Sequence, residues 1–563
     1  MNIKCLNDHG GMNIMFSSKN RDEVFAQLKS ESLDVLVIGG GITGAGIALD
    51  AVTRGMRVGL IDMQDFAAGT SSRSTKLIHG GLRYLKQLDF KVVSEVGKER
   101  EIVYENGPHV TSPEWMMLPF YKAGTFGPLM TNVGLLMYDF LAGVKKDERR
   151  VMLSREETMK KAPLIKKDGL KGAGYYVEYK TDDARLTIEV LKKAVEHGAY
   201  AINYAKCTHL LYDDANTISG VKVTDQITGI THCIEAKKII NATGPWVDQL
   251  REMDRSKHGK SLYLTKGVHL VFSQKDFPLS QAIYFDAHDG RMVFAIPRGE
   301  QTYVGTTDTT YTGDIKHPTT SEEDVLYLLK AVNSMFPSLS LTKQHVQSSY
   351  AGIRPLIAEE GKDPSEISRK DEIFISTSGL ISITGGKLTG YRKMAENVVD
   401  VVAKQFKRED GILYSSSQTK YLSIAGGEVG GSKNFESFQR GMINKGLAYG
   451  LSEKDTTSLV KRYGTNIEKI FVLYDESRNE AVEENIDLLV LAELKYGIQH
   501  ECVYKPIDFF IRRTGALFFN IDWVYKHKHD VIRYMKKYLR WTEKQMKQYI
   551  DELDTCIKEA TLA

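Results

Sequence analysis

Short apolar runs that end in glycines or in an acidic residue mark the first part of the chain. Asp34 to Ile38 (DVLVI) is typical of a buried parallel strand. Glycines follow at once, and apolar residues then recur at helical spacing as far as Gly55. A second apolar run, Val58 to Ile61, closes on Asp62. The pattern predicts a strand–helix–strand unit with a right-handed crossover.

Two later apolar runs also lead into loops that contain glycine. Lys238 to Asn241 precedes the segment Ala242 to Trp246, and Leu380 to Thr384 precedes Gly385 to Lys387. Each run has the form of a strand that feeds a loop and then a helix. The parallel-sheet domain is therefore predicted to be assembled from separated pieces of chain. Between them, alternating polarity from about 263 to 350 favours an antiparallel sheet.

Helical periodicity dominates from about residue 415 onward. It is clear over 487–494 and in a basic pattern over Val531 to Tyr549, and Gly426 to Lys433 is predicted to be a loop. We therefore expect an α/β plus α+β protein with three parts. These are an N-terminal tail (1–30), a two-sheet core (31–405) and a helical C-terminal domain (406–563).

Composition excludes several classes of protein. The chain of 563 residues has 75 basic and 72 acidic side chains, so the net charge of +3 gives no argument for nucleic acid. The five cysteines are scattered without a CxxC pair, which disfavours a disulfide framework or a zinc site and fits a reducing cytosol. Met1 to Ser30 lacks the apolar centre of a signal peptide.

One long charge-poor stretch, Phe126 to Val144, stands out from the rest of the chain. It contains Pro128, Asn132 and Asp139, so it makes a poor membrane-spanning helix. Two interpretations stay open. The stretch is either a core or cap segment, or a shallow surface that contacts a membrane or a quinone.

The segment Gly39 to Gly44 (GGGITG) is a G-x-G-x-x-G motif between a strand and a helix. Gly39 permits the tight turn, Gly41 lets the backbone approach a pyrophosphate, and Gly44 allows close helix–strand packing. The helix N-terminus, with Ile42 and Thr43, faces the phosphates. Asp62 then ends the second strand, at the distance expected for a carboxylate that binds a ribose hydroxyl.

A run of small hydroxyl residues, Gly69 to Lys76 (GTSSRSTK), follows the second strand. It resembles the loop that flavoenzymes of the glutathione-reductase-like and D-amino-acid-oxidase-like superfamily place along the flavin and its pyrophosphate. The resemblance favours FAD over NAD as the nucleotide, and the fold it implies is a Rossmann-type FAD-binding domain.

The next segment, Leu77 to Leu85 (LIHGGLRYL), makes the resemblance specific. The chain resembles the FAD-dependent glycerol-3-phosphate dehydrogenases of the aerobic, quinone-linked type from about residue 33 to about 545. Further segments match this family: 181–186, 242–246, 265–269, 304–308, 352–356, 367–369, 385–389, 391–393 and 512–515.

The resemblance implies a cofactor, a substrate and partners. We expect FAD, bound without a covalent link, and oxidation of glycerol 3-phosphate to dihydroxyacetone phosphate in glycerol catabolism, with quinone as electron acceptor. We expect no metal and no nucleic acid, a cytoplasmic protein at the inner face of the cell membrane with peripheral membrane contact, and a homodimer as the candidate oligomer. The expected FAD-binding parts are about 31–110, 170–262 and 351–405, and the substrate-binding parts are about 111–169 and 263–350.

The predicted FAD-binding residues come from the glycine motif, the two strand ends, the hydroxyl-rich loop and the later loops. They are Gly39, Gly41, Ile42, Thr43, Gly44, Asp62, Met63, Thr70, Ser71, Ser72, Lys76, Leu77, His79, Gly80, Gly81, Ala242, Thr243, Gly244, Trp246, Gly352, Arg354, Gly386, Lys387, Leu388 and Thr389.

Oxidation of a phosphorylated alcohol needs a cationic cradle and a base. By resemblance, Arg83, Arg354 and Arg369 converge on the phosphate together with Tyr84. The resemblance also assigns Lys387 to the substrate hydroxyl or to the negative charge of the reduced flavin. For the base, His269 and His79 both remain candidates, because histidine titrates near neutral pH.

Three alternatives stay open at this level. A related oxidase would pass electrons to oxygen and form hydrogen peroxide, although such relatives tend to carry an insertion that this chain lacks. An amine or amino-acid oxidase of the same fold should lack the arginine cluster. A non-catalytic nucleotide-binding protein would leave the segments around His79 and Lys387 without a role.

Overall fold

The computed structural model describes residues 16–79, 90–122, 127–141, 143–359 and 371–562. Its strands, in chain order, are β1 Leu33–Ile38, β2 Val58–Ile61, β3 Leu77–Ile78, β4 Thr111–Tyr121, β5 Val151–Leu153, β6 Leu170–Thr181, β7 Tyr200–Ile202, β8 Ala205–Tyr212, β9 Ile218–Asp225, β10 Thr231–Asn241, β11 Lys260–Ser273, β12 Ala282–Asp286, β13 Met292–Arg298, β14 Gln301–Gly305, β15 Thr309–Thr310, β16 Val346–Glu359, β17 Glu372–Ile375 and β18 Ile381–Thr384.

The helices follow the same order. They are α1 Arg21–Ser30, α2 Ile42–Thr53, α3 Phe90–Asn106, α4 Pro128–Leu141, α5 Arg155–Lys161, α6 Asp183–Glu196, α7 Val247–Met253, α8 Glu322–Met335, α9 Tyr391–Glu409, α10 Ser432–Ala448, α11 Glu453–Tyr463, α12 Ile467–Glu476, α13 Arg478–Glu483, α14 Leu488–His500, α15 Ala516–Phe519, α16 Ile521–Leu539 and α17 Glu543–Ala560. A π-helical turn, Asp508–Arg513, precedes α15.

The first sheet has the order β17-β18-β10-β1-β2-β7, with β9 and β8 attached beside β10. The pairs β18–β10, β10–β1, β1–β2 and β2–β7 are parallel. Strands β1 and β2 are buried along their whole length, as their continuous apolar runs predict. This sheet brings the carboxyl ends of β1, β2, β10 and β18 to one edge, where nucleotide sites form in such folds.

The second sheet has the order β15-β11-β14-β13-β12-β4-β6-β3, with β16 on β11 and β5 on β6. Its pairs are antiparallel apart from β12–β4. The long β11–β16 pair places His269 opposite Tyr350 and Thr265 opposite Arg354. The predicted two-sheet core with a helical C-terminal domain is therefore confirmed.

Several elements differ from the sequence-based expectation. Strands β6 and β16 join the second sheet, although most of their residues were expected in FAD-binding parts. The pattern over 531–549 is divided between α16 and α17, because Arg540 adopts a left-handed conformation (φ 55°) that ends α16. The expected tail contains α1, whose Val24, Phe25 and Leu28 are buried. Polar residues around them obscured this short apolar face.

Within the charge-poor stretch, Pro128–Leu141 form α4. Leu135 and Tyr138 of α4 are buried, whereas Val133, Leu136 and Phe140 are 48%, 52% and 84% exposed. These three exposed residues, spaced as one helix face, are called the apolar stripe below. Within the described ranges no helix combines the length and apolarity needed to cross a bilayer.

Candidate functional site

A cavity of about 940 Å³ runs between the two sheets, along the edge where β1, β2, β10 and β18 end. Most of the predicted site residues line it. They are Gly39, Gly41, Ile42, Thr43, Asp62, Met63, Thr70, Ser71, Leu77, His79, Ala242, Thr243, Gly244, Trp246, His269, Gly352, Arg354, Gly386, Lys387, Leu388 and Thr389. The fold thus gathers segments that lie more than 300 residues apart in sequence.

The glycine motif occupies one end of this cavity. Gly39 has a φ of 114°, and a Cβ there would lie 2.5 Å from the carbonyl oxygen of Ala242. A Cβ at Gly44 would lie 1.8 Å from the carbonyl oxygen of Gly39, so this glycine sets the close packing of α2 on β1. Gly41 has an ordinary φ of −77°, and a Cβ there would meet only Ser71 Oγ, at 3.1 Å. Gly41 thus leaves room in the cavity itself.

Asp62 closes β2 beside this motif. Its carboxylate accepts hydrogen bonds from the backbone N–H of Gly40 (2.7 Å) and of Gln64 (2.8 Å). Burial raises the pKa of Asp62 to about 7, although the two backbone donors oppose that rise. Asp62 also lines the cavity, and each of its oxygens has a single backbone donor, so it is able to accept a hydrogen bond from a further hydroxyl.

The hydroxyl-rich loop is fixed from two sides. Ser71 Oγ accepts the Ile42 N–H (3.0 Å), and Thr70 Oγ1 donates to the Ile353 carbonyl (2.6 Å). On the other side, the fully buried Asp183 accepts Ser74 Oγ (2.7 Å) and pairs with Lys76 Nζ (2.5 Å). Asp183, the first residue of α6, therefore anchors the loop.

Lys387 and His79 lie at the other end of the cavity. Gly386 has a φ of 77°, and a Cβ there would lie 2.3 Å from Met394 Sδ, so the turn before Lys387 requires glycine. The Thr389 hydroxyl accepts the His79 N–H (3.0 Å) and contacts the His79 carbonyl (3.1 Å). Burial, with Lys387 and Arg100 nearby, lowers the pKa of His79 to about 3. His79 is therefore neutral at physiological pH.

The guanidinium of Arg354 is oriented by the loop between β14 and β15. It donates to Thr306 Oγ1 (2.7 Å) and to the Thr307 carbonyl (3.1 Å), and it pairs with Asp308 at 3.4 Å. A Cβ at Gly267 would lie 2.3 Å from Arg354 Nη2, so only glycine there leaves space for this side chain. Arg354 thus presents a positioned positive charge to the cavity.

His269 is held more tightly than His79. Its ring stacks on Tyr350 (4.6 Å between centroids, 13°), and Nε2 lies 3.0 Å from Thr75 Oγ1. His269 is 1% exposed, and Nδ1 has no hydrogen-bond partner among the described residues. Burial, then Arg354 and Lys76, lowers the pKa of His269 well below its ordinary value. This imidazole is also neutral near pH 7.

Some predicted residues lie elsewhere. Gly44, Ser72 and Lys76 do not line the cavity: Gly44 packs α2 against β1, Ser72 is 1% exposed, and the Lys76 ammonium is directed to Asp183. Gly80, Gly81, Arg83, Tyr84 and Arg369 lie outside the described residues. Their roles, like those of the cavity residues, remain predictions.

Sequence reasoning missed two groups of residues. One is Asp183, which begins α6 two residues after β6 ends; it lies in the matching segment 181–186, which was the signal that could have found it. The other is a set of cavity-lining side chains from the second sheet: Tyr176, Glu178, Tyr284, Met292 and Phe294. In an antiparallel strand, the spacing of cavity-facing residues is the same as that of core-facing residues, so no sequence signal separated them.

The residues present fit a bound FAD. Glycines without room for a Cβ bring the backbone to the cavity, and a helix N-terminus supplies N–H groups for a pyrophosphate. A carboxylate stands at the end of β2 for a ribose. The cavity continues past this end to a lysine, an arginine and two neutral histidines, which suits a flavin ring with a substrate beside it.

Comparison with known proteins agrees with this geometry. Residues 34–392 match the family model described as FAD dependent oxidoreductase, and residues 417–546 match the C-terminal domain of alpha-glycerophosphate oxidase. The chain is 57% identical over 551 residues to the aerobic glycerol-3-phosphate dehydrogenase of Bacillus subtilis, covering 98% of this chain and 99% of that protein.

Two solved structures are also similar. The glycerol-3-phosphate dehydrogenase of Bacillus halodurans complexed with FAD is 48% identical, with a TM-score of 0.85 over 97% of this chain and 99% of that one. The FAD-bound L-alpha-glycerophosphate oxidase of Mycoplasma pneumoniae is 17% identical, with a TM-score of 0.54 over 69% of this chain and 97% of that one. The second likeness shows the fold alone.

Proposed function

Because this chain belongs to the FAD-dependent oxidoreductases and, within them, to the aerobic glycerol-3-phosphate dehydrogenases, we propose that it oxidises sn-glycerol 3-phosphate to dihydroxyacetone phosphate and passes the electrons to a quinone. One observation carries this proposal. A single cavity joins the glycine motif to an end that holds Arg354, Lys387, His79 and His269. This reaction would place the protein in glycerol catabolism.

The positive end of the cavity would hold the substrate phosphate. Arg354 offers two guanidinium nitrogens that Thr306 and Asp308 already orient, and a planar fork matches a phosphate better than an ammonium does. By family resemblance, Arg83, Tyr84 and Arg369 would complete this cradle. Lys387, at the N-terminal end of the turn that leads into α9, would hold the substrate hydroxyl.

When bound, FAD would supply the acceptor for the hydride that leaves the carbinol carbon. The chain must then take the hydroxyl proton, and two neutral imidazoles line the cavity for this purpose. His269 lines the cavity with its ring held by Tyr350 and Thr75, and its Nδ1 has no hydrogen-bond partner among the described residues. For His79, burial first and then the nearby Lys387 lower the pKa, so this imidazole is neutral and able to accept a proton. Both histidines therefore remain candidates for the base.

The apolar stripe on α4 supports the quinone as acceptor. Three large apolar side chains exposed on one helix face suit contact with lipid tails, where a membrane quinone resides. On the buried face of α4, the Tyr138 hydroxyl donates to Glu178 (3.1 Å), and Glu178 lines the cavity. The stripe is thus one helix away from the site, and peripheral membrane contact through it would bring the acceptor close.

The test uses the yellow holoenzyme. Addition of glycerol 3-phosphate without oxygen should bleach the flavin, and glycerol should not. Steady-state turnover should then be faster with a soluble quinone analogue than with oxygen. No bleaching would overturn the proposed substrate, and faster turnover with oxygen, with stoichiometric hydrogen peroxide, would assign the oxidase activity instead.

A further inference from the structure

The loop that follows β2 carries two carboxylates that point in opposite directions. Asp62 faces the cavity, whereas Asp65, three residues later, is 1% exposed and points into the body of the protein. The loop backbone is pinned on both sides of Asp65, because the Tyr204 N–H donates to the Gln64 carbonyl (2.8 Å) and the Ala67 N–H donates to the Gly40 carbonyl (3.0 Å). A displacement of Asp65 would therefore move the segment that sets the position of Asp62.

Asp65 is held by the C-terminal domain. Arg513 donates to both of its oxygens, at 2.8 and 2.9 Å, in a bidentate arrangement, and Arg512 Nε donates to Oδ2. Asn203 Nδ2 adds a further bond at 2.9 Å. Burial alone would raise the pKa of Asp65, but Arg513 and Arg512 lower it to about 2. Asp65 is thus the main partner of Arg513, although the two residues lie 448 positions apart in sequence.

Both arginines are themselves fixed within the C-terminal domain. Arg512 Nη2 pairs with Asp508 at 2.6 Å, and Arg513 Nη2 donates to the Glu501 carbonyl at 2.6 Å. The two side chains are 4% and 1% exposed. Asp508 to Arg513 forms a π-helical turn, which directs both consecutive arginines toward the loop. These contacts fix the loop to one rigid element.

We propose that Arg512 and Arg513 are positioning residues for the adenosine half of FAD, acting through Asp65 on the loop that carries Asp62. This inference rests on the proposed contact of Asp62 with the ribose. Removal of one arginine leaves a buried carboxylate with fewer donors, and the loop moves toward water to solvate it. Since coupling is reciprocal, bound FAD in turn stabilises the docking of the C-terminal domain.

Two ligands that each carry one half of FAD make the test specific. Equilibrium dialysis of the full-length holoenzyme gives the dissociation constant of FAD. Competition then gives those of ADP, which carries the adenosine half, and FMN, which carries the flavin half. In Arg513→Ala we expect the constants for FAD and ADP to rise about 10-fold or more, as for loss of a charge-assisted hydrogen bond. The constant for FMN should stay within about twofold of the wild-type value.

Lys495→Ala is the matched control. Lys495 pairs with Glu480 at 2.9 Å and is 12% exposed, so the variant loses a partly buried ion pair inside the C-terminal domain that does not reach the loop. Its FAD and ADP constants should match those of the wild type. Arg513→Lys should restore part of the loss, since an ammonium keeps the charge and lacks the fork.

Two outcomes would overturn the proposal. Equal weakening of FAD, ADP and FMN in Arg513→Ala would mean a general loosening of the protein, and unchanged constants would mean that Asp65 does not govern the loop. If Arg513→Ala yields no soluble protein, Asn203→Ala removes one neutral donor to Asp65 and is judged by the same selective loss of FAD and ADP. Dialysis needs no turnover, so this result is independent of whether glycerol 3-phosphate bleaches the flavin.

Discussion

At the scale of single residues, the orientation of Arg354 decides what its loss should do. Its guanidinium is held by Thr306 and Asp308, in the loop between β14 and β15, so its charge has a fixed position at the cavity. We expect Arg354→Ala to lower kcat/KM for glycerol 3-phosphate by about 10- to 100-fold, the equivalent of a charge-assisted hydrogen bond. Activity on glycerol and the flavin spectrum should change little. Arg354→Lys should recover only part of the loss.

The control for Arg354 is Arg57→Ala, which removes an equally long ion pair (3.4 Å to Asp34) at a site that does not line the cavity. It should leave kcat/KM unchanged. Equal losses on glycerol and glycerol 3-phosphate in Arg354→Ala would show that the residue serves the chemistry and not the phosphate. Loss of FAD would show a structural role.

The two histidines are separable by the same kind of measurement. Replacement of the general base should lower kcat by about 10²- to 10⁴-fold. We expect His269→Asn and His79→Asn to differ, with the large loss confined to one of them, and FAD content is measured in both variants to separate loss of the base from loss of cofactor. Single-turnover bleaching measures the chemical step directly. Small losses in both variants would remove histidine from the role of base.

At the scale of elements, the glycine motif predicts two different failures from one type of substitution. Gly41→Ala adds a Cβ in an allowed conformation whose nearest neighbour is Ser71 Oγ, so the fold should persist while the Cβ occupies pyrophosphate space. We expect the FAD dissociation constant to rise by about 5- to 100-fold, equivalent to an overpacking of about 1–3 kcal/mol.

Gly44→Ala is the contrasting variant. Its Cβ would meet the Gly39 carbonyl at 1.8 Å, so α2 must move away from β1. The thermal midpoint of the apoprotein should fall by about 2–10 °C, whereas Gly41→Ala should leave it within about 1 °C. A fall in midpoint for Gly41→Ala, with normal FAD affinity, would contradict the assignment of Gly41 to the pyrophosphate.

The apolar stripe gives a second prediction at this scale. The double variant Leu136→Ser/Phe140→Ser removes two side chains that are 52% and 84% exposed. Since burial of each would contribute about 1.5–3 kcal/mol, binding to anionic lipid vesicles should weaken at least about 10-fold. Turnover with a soluble dye should be unchanged. Vesicle co-sedimentation provides the measurement.

A matched pair for the stripe lies elsewhere on the surface. Leu413 and Val482 are 75% and 82% exposed and lie outside α4. Leu413→Ser/Val482→Ser should therefore sediment with vesicles as the wild type does. If both double variants lose binding equally, the contact is not specific to α4.

At the scale of the whole molecule, His109 should contribute to acid sensitivity. It is 4% exposed beneath the C-terminal domain, and neither ring nitrogen has a hydrogen-bond partner among the described residues. Burial first, then Arg185 and Lys192, lowers its pKa well below 6.5. The unfolded chain therefore takes up a proton that the folded chain refuses, so stability is lost as the pH falls below 6.5.

Below pH 6.5, His109 should contribute a slope that approaches about 1.4 kcal/mol of unfolding free energy per pH unit. His109→Asn should lose this part of the pH dependence. Denaturant unfolding between pH 7.5 and 5 measures it, with FAD saturating throughout. Above pH 7.5 neither the folded nor the unfolded state takes up the proton, so the unfolding free energies of the wild type and His109→Asn should depend on pH in the same way. The same dependence on pH for both proteins below pH 6.5 would disprove the contribution of His109.

The sequence by itself determined the elements whose signals are local. Val58–Ile61 was predicted with the bounds that the structure shows, because a buried parallel strand has no polar positions to blur its ends. The glycine motif and Asp62 were also placed correctly at the ends of β1 and β2, because a strand end followed by glycines or an acidic residue is a local signal. The family resemblance then identified the cofactor and the activity.

Tertiary structure decided everything that depends on contacts between distant segments. Only the fold shows that Lys76 turns to Asp183, that Gly267 makes space for Arg354, and that a π-helical turn holds Asp65. Each of these contacts joins residues more than 80 positions apart. Periodicity and spacing report which side of an element is buried, and they carry no information about which distant residue covers it.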